Sequence, residues 1–198
     1  MTESKEQRTK RVHATRYITP ANTLHNIGGY AIEKAESDEE GSFLELVTAL
    51  LMCAFTLEAV LNHVGRHLFY SVDGDSALWD LVERANPLEK LSAIAEQLSL
   101  PVDYGSRPFQ LLKPMFKFRN AVAHPKSDEV SAMLEVPDDI THIRISEARE
   151  LKADWELQCD IDTAREWHQA VWDIAAILCV QADTINPLVT GYPGSWSF

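Results

Sequence analysis

FLELVTALLMCAFTLEAVLNHVGRHL, residues Phe43 to Leu68, is the stretch whose reading decides the fold. Leu46, Leu50, Met52, Cys53, Phe55, Leu57, Val60, Leu61, Val64 and Leu68 recur with helical spacing. No Pro or Gly interrupts the pattern before Gly65. Ser42 stands ahead of it as an N-cap, with Glu45 three residues on to complete a capping box. Its uncharged centre, Leu46 to Leu57, is too short to span a bilayer and reads as a buried helix, with Cys53 as inert core and no membrane partner.

Shorter helices follow around this one. One is expected over Ala77 to Ala85, and one starts at Pro87 with Leu88, Leu91, Ile94, Ala95 and Leu98 on a single face. Another runs from Pro108 or Pro114 to about Ala123. The last opens after Asp162 as N-cap, with Trp167, Val171, Ile174, Ile177 and Leu178 facing inward. Ser127 to Asp162 differs: Trp155, Leu157, Cys159 and Ile161 alternate with polar residues, and Ile143 and Ile145 flank Arg144. Period two predicts a β-hairpin, and this one is acidic, with eleven carboxylates against three basic residues. The expected architecture is a mainly α bundle of four to five core helices with a small β-hairpin insertion before the last helix. Residues 1–42 read as an N-terminal arm or linker with a basic first third, and 43–198 as the helical domain, the insertion occupying 127–161.

Composition narrows the function classes. The chain has 198 residues, 45% hydrophobic and 24% charged, enough for one domain with a real core. A net charge of −12 excludes a protein that coats nucleic acid with its whole surface, and leaves room for a local basic site. Three widely spaced cysteines with no CxxC fit reduced thiols in a cytoplasmic protein, not a disulfide framework or a zinc site. The charged opening, MTESKEQRTKRVHATRY, lacks the apolar core of a secretory signal.

Chemistry concentrates in FRNAVAHPK, Phe118 to Lys126. It lies in a window, Tyr104 to Ser127, with no acidic residue and five basic ones: Arg107, Lys113, Lys117, Arg119 and Lys126. Such a window attracts a phosphate backbone locally, or is a solvated helix face with snorkelling lysines. On an ideal helix Arg119 and His124 point about 140° apart, at 100° per residue. Pro125 disfavours helical dihedrals at His124, so the helix is expected to end there and His124 to turn toward Arg119, with Asn120 beside them. An imidazole can deprotonate a ribose 2′-hydroxyl or protonate a leaving 5′-oxygen, and a guanidinium can hold the scissile phosphate by paired hydrogen bonds. The plainer reading is that both cations cap a helix C-terminus and meet its dipole.

LLKPMFKFRNAVAHPK resembles the hallmark of the HEPN superfamily: an arginine, a polar residue that is usually Asn, and a histidine after a spacer of four to six, here R-NAVA-H. TLEAVLNHVGRHLF is similar to the first core helix of that superfamily, NPLEKLSAIAEQL to the second, FQLLKPMFKFRNAVAHPK to the third, and the helix after Asp162 to the closing one. The resemblance implies a helical bundle that pairs as a homodimer, placing two such motifs across a two-fold axis in a composite site. It implies Arg119 as phosphate clamp, His124 as general acid/base, Asn120 as a positioning residue, and Glu58 and Asn62 as supports. Arg107, Lys113, Lys117 and Lys126 would track RNA. The activity implied is metal-independent endoribonuclease action in a toxin–antitoxin, phage-defence or RNA-processing setting, with no cofactor and an antitoxin or nucleotidyltransferase as partner. The alternative is a non-catalytic HEPN module that binds a partner protein or nucleotide. The acidic stretch after the motif and the net charge weigh against catalysis.

Other features carry less. His63 and His67, four apart on one helix face, have metal-ligand spacing but no HExxH context and no third ligand. Asp73–Asp75 lacks the rest of a calcium loop and reads as a turn. The tail with Trp196 and Phe198 packs on its own domain or on a partner.

Overall fold

The computed structural model describes residues 19–37, 42–70, 77–124, 129–135 and 149–189. Six α-helices run through them: α1 (Ala21–Ser37), α2 (Ser42–Phe69), α3 (Ala77–Arg84), α4 (Pro87–Gln97), α5 (Leu112–Ala123) and α6 (Ile161–Gln181). No strand occurs among the described residues. The chain is a mainly α bundle.

α2 is the axis of the bundle and packs against each of the other five helices. Its sequence explains why. Leu46, Leu50, Cys53, Leu57, Val60, Leu61 and Val64 are buried, and so are Ala49, Ala54 and Thr56 between them. A helix apolar on every side must be covered on every side. By length and composition alone α2 would suffice to cross a membrane. Here α1, α6, α4, α5 and α3 cover it instead.

The stretch read as an arm holds α1, which packs along α2 and α6. Gly28 and Gly29 lie within α1 and permit close approach. A Cβ on Gly28 would lie 3.3 Å from Met52 Cβ and 3.7 Å from the Ala49 carbonyl oxygen, and one on Gly29 would lie 3.3 Å from His168 Nε2. Helix propensity loses about 1 kcal/mol per glycine, and tertiary packing offsets that here.

Gly65, inside α2, serves a similar end. A Cβ there would fall 2.6 Å from Cζ3 of Trp79, the buried anchor of α3. Gly65→Ala is therefore expected to lower stability by about 1–3 kcal/mol despite its gain in helix propensity, read as a lower urea midpoint with displaced Trp79 fluorescence.

α4 begins as expected from Pro87. Asn86 Oδ1 accepts hydrogen bonds from the backbone N–H groups of Leu88 and Glu89, both at 3.1 Å, and Glu89 reaches back to the Asn86 N–H. α6 is capped by Asp160, not Asp162. Asp160 accepts from the Thr163 N–H at 2.9 Å, while Asp162 lies exposed in the first turn and meets Arg165. Trp167, Ile174 and Leu178 reach the core, with Trp167 edge-on to Phe118 at 5.8 Å between ring centres.

The β-hairpin is not found. Of its two expected strands, ITHIRIS lies outside the described residues, and the other, around Trp155, holds a short 3₁₀ turn, Glu156–Gln158, with another, Arg149–Leu151, ahead of it. The alternation in ADWELQCDID has a local cause. Trp155 points inward against Phe118 and Phe43, at 6.5 and 6.1 Å between ring centres. Glu156 accepts from the Ala153 N–H at 2.7 Å, and the Cys159 thiol donates to the Trp155 carbonyl at 3.5 Å. The segment thus meets backbone groups within a turn and needs no strand partner, although Gln158 Oε1 is buried without a hydrogen bond.

Candidate functional site

α5 carries the Arg119–His124 motif, and the bundle treats its two ends differently. Phe116 and Phe118 are buried and fasten the helix to the core. The helix ends at Ala123. His124 still donates its N–H to the Asn120 carbonyl at 3.0 Å, then leaves helical geometry at φ −125° and ψ 61°. Its exit is where Pro125 places it. His124 and Asn120 are exposed.

Arg119 turns the other way, toward α2. Its Nη2 donates to Glu58 Oε2 at 2.9 Å, and only 16% of the side chain remains exposed. Its Nε is buried with no hydrogen-bond partner, so one edge of the guanidinium is left unmatched. Among the described residues no hydrogen bond or ion pair joins Arg119 to His124.

One turn further along α2, Asn62 accepts a hydrogen bond from the Lys90 ammonium of α4. Lys90 is 1% exposed. Burial lowers its pKa, and the Glu58 and Glu83 carboxylates counter that by favouring the charged form. Glu58 and Asn62, four apart on one helix face, therefore serve two cations from two other helices. The weak supports of the sequence reading are the centre of a polar network, and Lys90 is the member that reading missed. Its signal was visible: Pro87, Lys90, Leu91, Ile94 and Ala95 are the buried face of α4.

The remaining basic residues are spread out and matched. Arg107 pairs with Glu166 of α6, Lys117 with Asp154 at 3.1 Å, and Lys113 lies over the Tyr104 ring at 5.4 Å. Lys126 lies outside the described residues. A window free of acids in sequence thus meets acids in space, one of them from the stretch read as the insertion. Between α5 and that stretch lies a groove of about 360 Å³ lined by Lys117, Ala121, Lys152, Trp155 and Gln158. Positions 117, 121 and 124 fall on one helical face, so the groove and the exit at His124 share a side of α5.

Comparison with protein-family models, curated proteins and solved structures returned no match. The site is therefore read from its own chemistry. Three cysteines offer no nucleophile: burial pushes the Cys53 and Cys159 thiols up to about 12 and Cys179 to about 11. His63 is buried, with Nε2 3.1 Å from the Ile185 carbonyl oxygen, so that nitrogen carries a proton and is unavailable to a metal. Among the described residues no group of three or more His, Cys, Asp and Glu is placed to hold a metal ion. Asp73–Asp75 and the tail with Trp196 and Phe198 lie outside the described residues.

A second histidine cluster, absent from the sequence reading, joins α1 to α6. His25 and His168 stack at 3.9 Å with 9° between planes, and Trp172 lies 5.8 Å from His25. Burial, then the neighbouring His168, lowers the His25 pKa to about 4. The folded protein thus resists a proton that the unfolded chain takes up near pH 6.5. Stability is complete above about pH 6.5 and falls as pH drops toward 4, because the unfolded state binds more protons across that window. Melting temperature measured from pH 7.5 to 5 is expected to fall, and His25→Gln to flatten the fall. His63, whose pKa burial also lowers, accounts for part of the slope that remains.

Proposed function

We propose that the protein is a metal-independent endoribonuclease of HEPN type, with His124 as general acid/base and Arg119 as phosphate clamp. The observation that carries this reading is the end of α5: the helix stops at Ala123 and delivers His124 to solvent, one turn past an arginine held by Glu58. An exposed imidazole can take the proton of a ribose 2′-hydroxyl. That oxygen then attacks the adjacent phosphorus, the bond to the 5′-oxygen breaks, and the leaving oxygen takes a proton from an imidazolium. The products are a 2′,3′-cyclic phosphate and a 5′-hydroxyl. No metal enters the balance.

Arg119 is committed to Glu58 through Nη2 in each chain, so the clamp needs Arg119 to change partner when RNA binds. A homodimer that sets two α5 exits across a two-fold axis supplies two histidines and two arginines to one phosphate. The groove beside Lys117 and Lys152 offers a track for the RNA backbone, and Asn120 lies exposed beside the motif to position the phosphate. Asp154 competes for Lys117 and limits affinity at rest.

One observation favours the second reading, a non-catalytic HEPN module that binds a partner protein or nucleotide. Arg119 is already bonded and mostly covered, as a structural arginine would be. Incubation of the purified protein with total RNA in EDTA separates the two. Cleavage by the native chain that is lost in His124→Ala supports the nuclease, and equal inactivity of both supports the binding module. An antitoxin or nucleotidyltransferase would then be sought by co-purification.

A further inference from the structure

We propose that the groove between α1 and α6 binds a small organic cation bearing N–H groups, a guanidinium or a primary ammonium. The groove measures about 490 Å³, within the size of small-molecule sites, and is formed without any residue of α5. Its chemistry is one-sided. Tyr30 and Trp172 line it with rings that are 70% and 38% exposed, and Glu33 adds a carboxylate. No lysine or arginine lines it.

The neutral polar groups add acceptors. His168 Nε2 lies 3.1 Å from the His25 carbonyl oxygen, which only accepts, so Nε2 carries the proton. In the neutral ring Nδ1 is then a lone pair. Asn26 gives one of its two amide N–H donors to Asn22 Oδ1 at 3.0 Å and keeps its own carbonyl oxygen as an acceptor. The ion pairs of α1 are made by Lys34 with Glu45 and by Glu36 with Arg165, and Glu33 has no ion-pair partner among the described residues.

A site of π faces, one carboxylate and acceptors, in a chain of net charge −12, attracts cations and offers an anion no lysine or arginine. The acceptors select further. A guanidinium or primary ammonium donates to Glu33, Asn26 and His168 while lying against Trp172, whereas a quaternary ammonium meets the rings but donates nothing. His25, held neutral at pH 7, adds no repulsion. Gly29 leaves the space open, because a side chain there would meet the His168 ring.

The test is calorimetric titration of the full chain with agmatine at pH 7.5, to about 10 mM, which covers millimolar affinities. Tetramethylammonium is titrated in parallel. Agmatine is expected to bind, tetramethylammonium to bind about tenfold more weakly or not at all, and Glu33→Gln to weaken agmatine about tenfold. Glu33 is exposed, so the variant retains the fold, checked by circular dichroism. Failure of agmatine to bind overturns the proposal. So does equal binding of the two cations, or unchanged binding by Glu33→Gln.

Discussion

His124→Ala is expected to slow RNA cleavage by about 10²–10⁴-fold, the usual contribution of a positioned acid or base. Stability should barely move. The side chain is exposed at the exit of α5, and substitutions at such positions change stability by about 0.5 kcal/mol or less. That contrast gives the prediction its force, because a loss of activity with an unchanged urea midpoint assigns the residue to chemistry. Arg119 behaves differently. Arg119→Lys should fail to restore activity, since an ammonium cannot offer two parallel hydrogen bonds to a phosphate, and it should also disturb the pairing with Glu58. A single-turnover cleavage assay alongside denaturant unfolding reads both effects.

Glu58→Ala is expected to carry the second large effect, on stability. Glu58 bonds Arg119 directly and favours the charge on Lys90, which is 1% exposed. Its removal strips Arg119 of its carboxylate partner and leaves Lys90 with Asn62 Oδ1 as acceptor. Breaking a partly buried charged hydrogen bond while stranding its partner costs about 2–3 kcal/mol. Glu58→Gln keeps an acceptor and should recover about half of that. Lys90→Met, which removes the buried charge and keeps the volume, should cost less than Glu58→Ala because nothing charged is left unpaired. Urea unfolding of the three variants tests the ranking. Destabilisation by Lys90→Met larger than by Glu58→Ala would contradict the network as described.

Much of the bundle was legible because helical period is a local property. α2, α4 and α6 followed from apolar residues three and four apart, and Pro87 marked a helix start that the structure reproduces. The misses have physical causes. Residues 1–42 read as an arm or linker, yet Gly28 and Gly29 are where α1 comes close to Met52 and His168, a reason that exists only in three dimensions. The alternation around Trp155 suggested a strand, but a strand needs a partner, and Glu156 and Cys159 satisfy the backbone in a turn instead.

The site divides along the same line. The end of α5 at His124 was written in Pro125. The partner of Arg119 was not, because Glu58 lies 61 residues away and reaches it only through the packing of α5 on α2. Lys90 sits beside Leu91 on the buried face of α4, but the apolar period alone names no cation. The His25–His168 stack joins residues 143 apart, and no local pattern announces it.

The chemistry of the cut ends tests the proposed function most directly. Purified protein is incubated with RNA in excess EDTA, and the fragment termini are identified by mass spectrometry. Fragments with 2′,3′-cyclic phosphate and 5′-hydroxyl ends, absent with His124→Ala, are the expected result. Intact RNA, or cleavage that persists in His124→Ala, would contradict it.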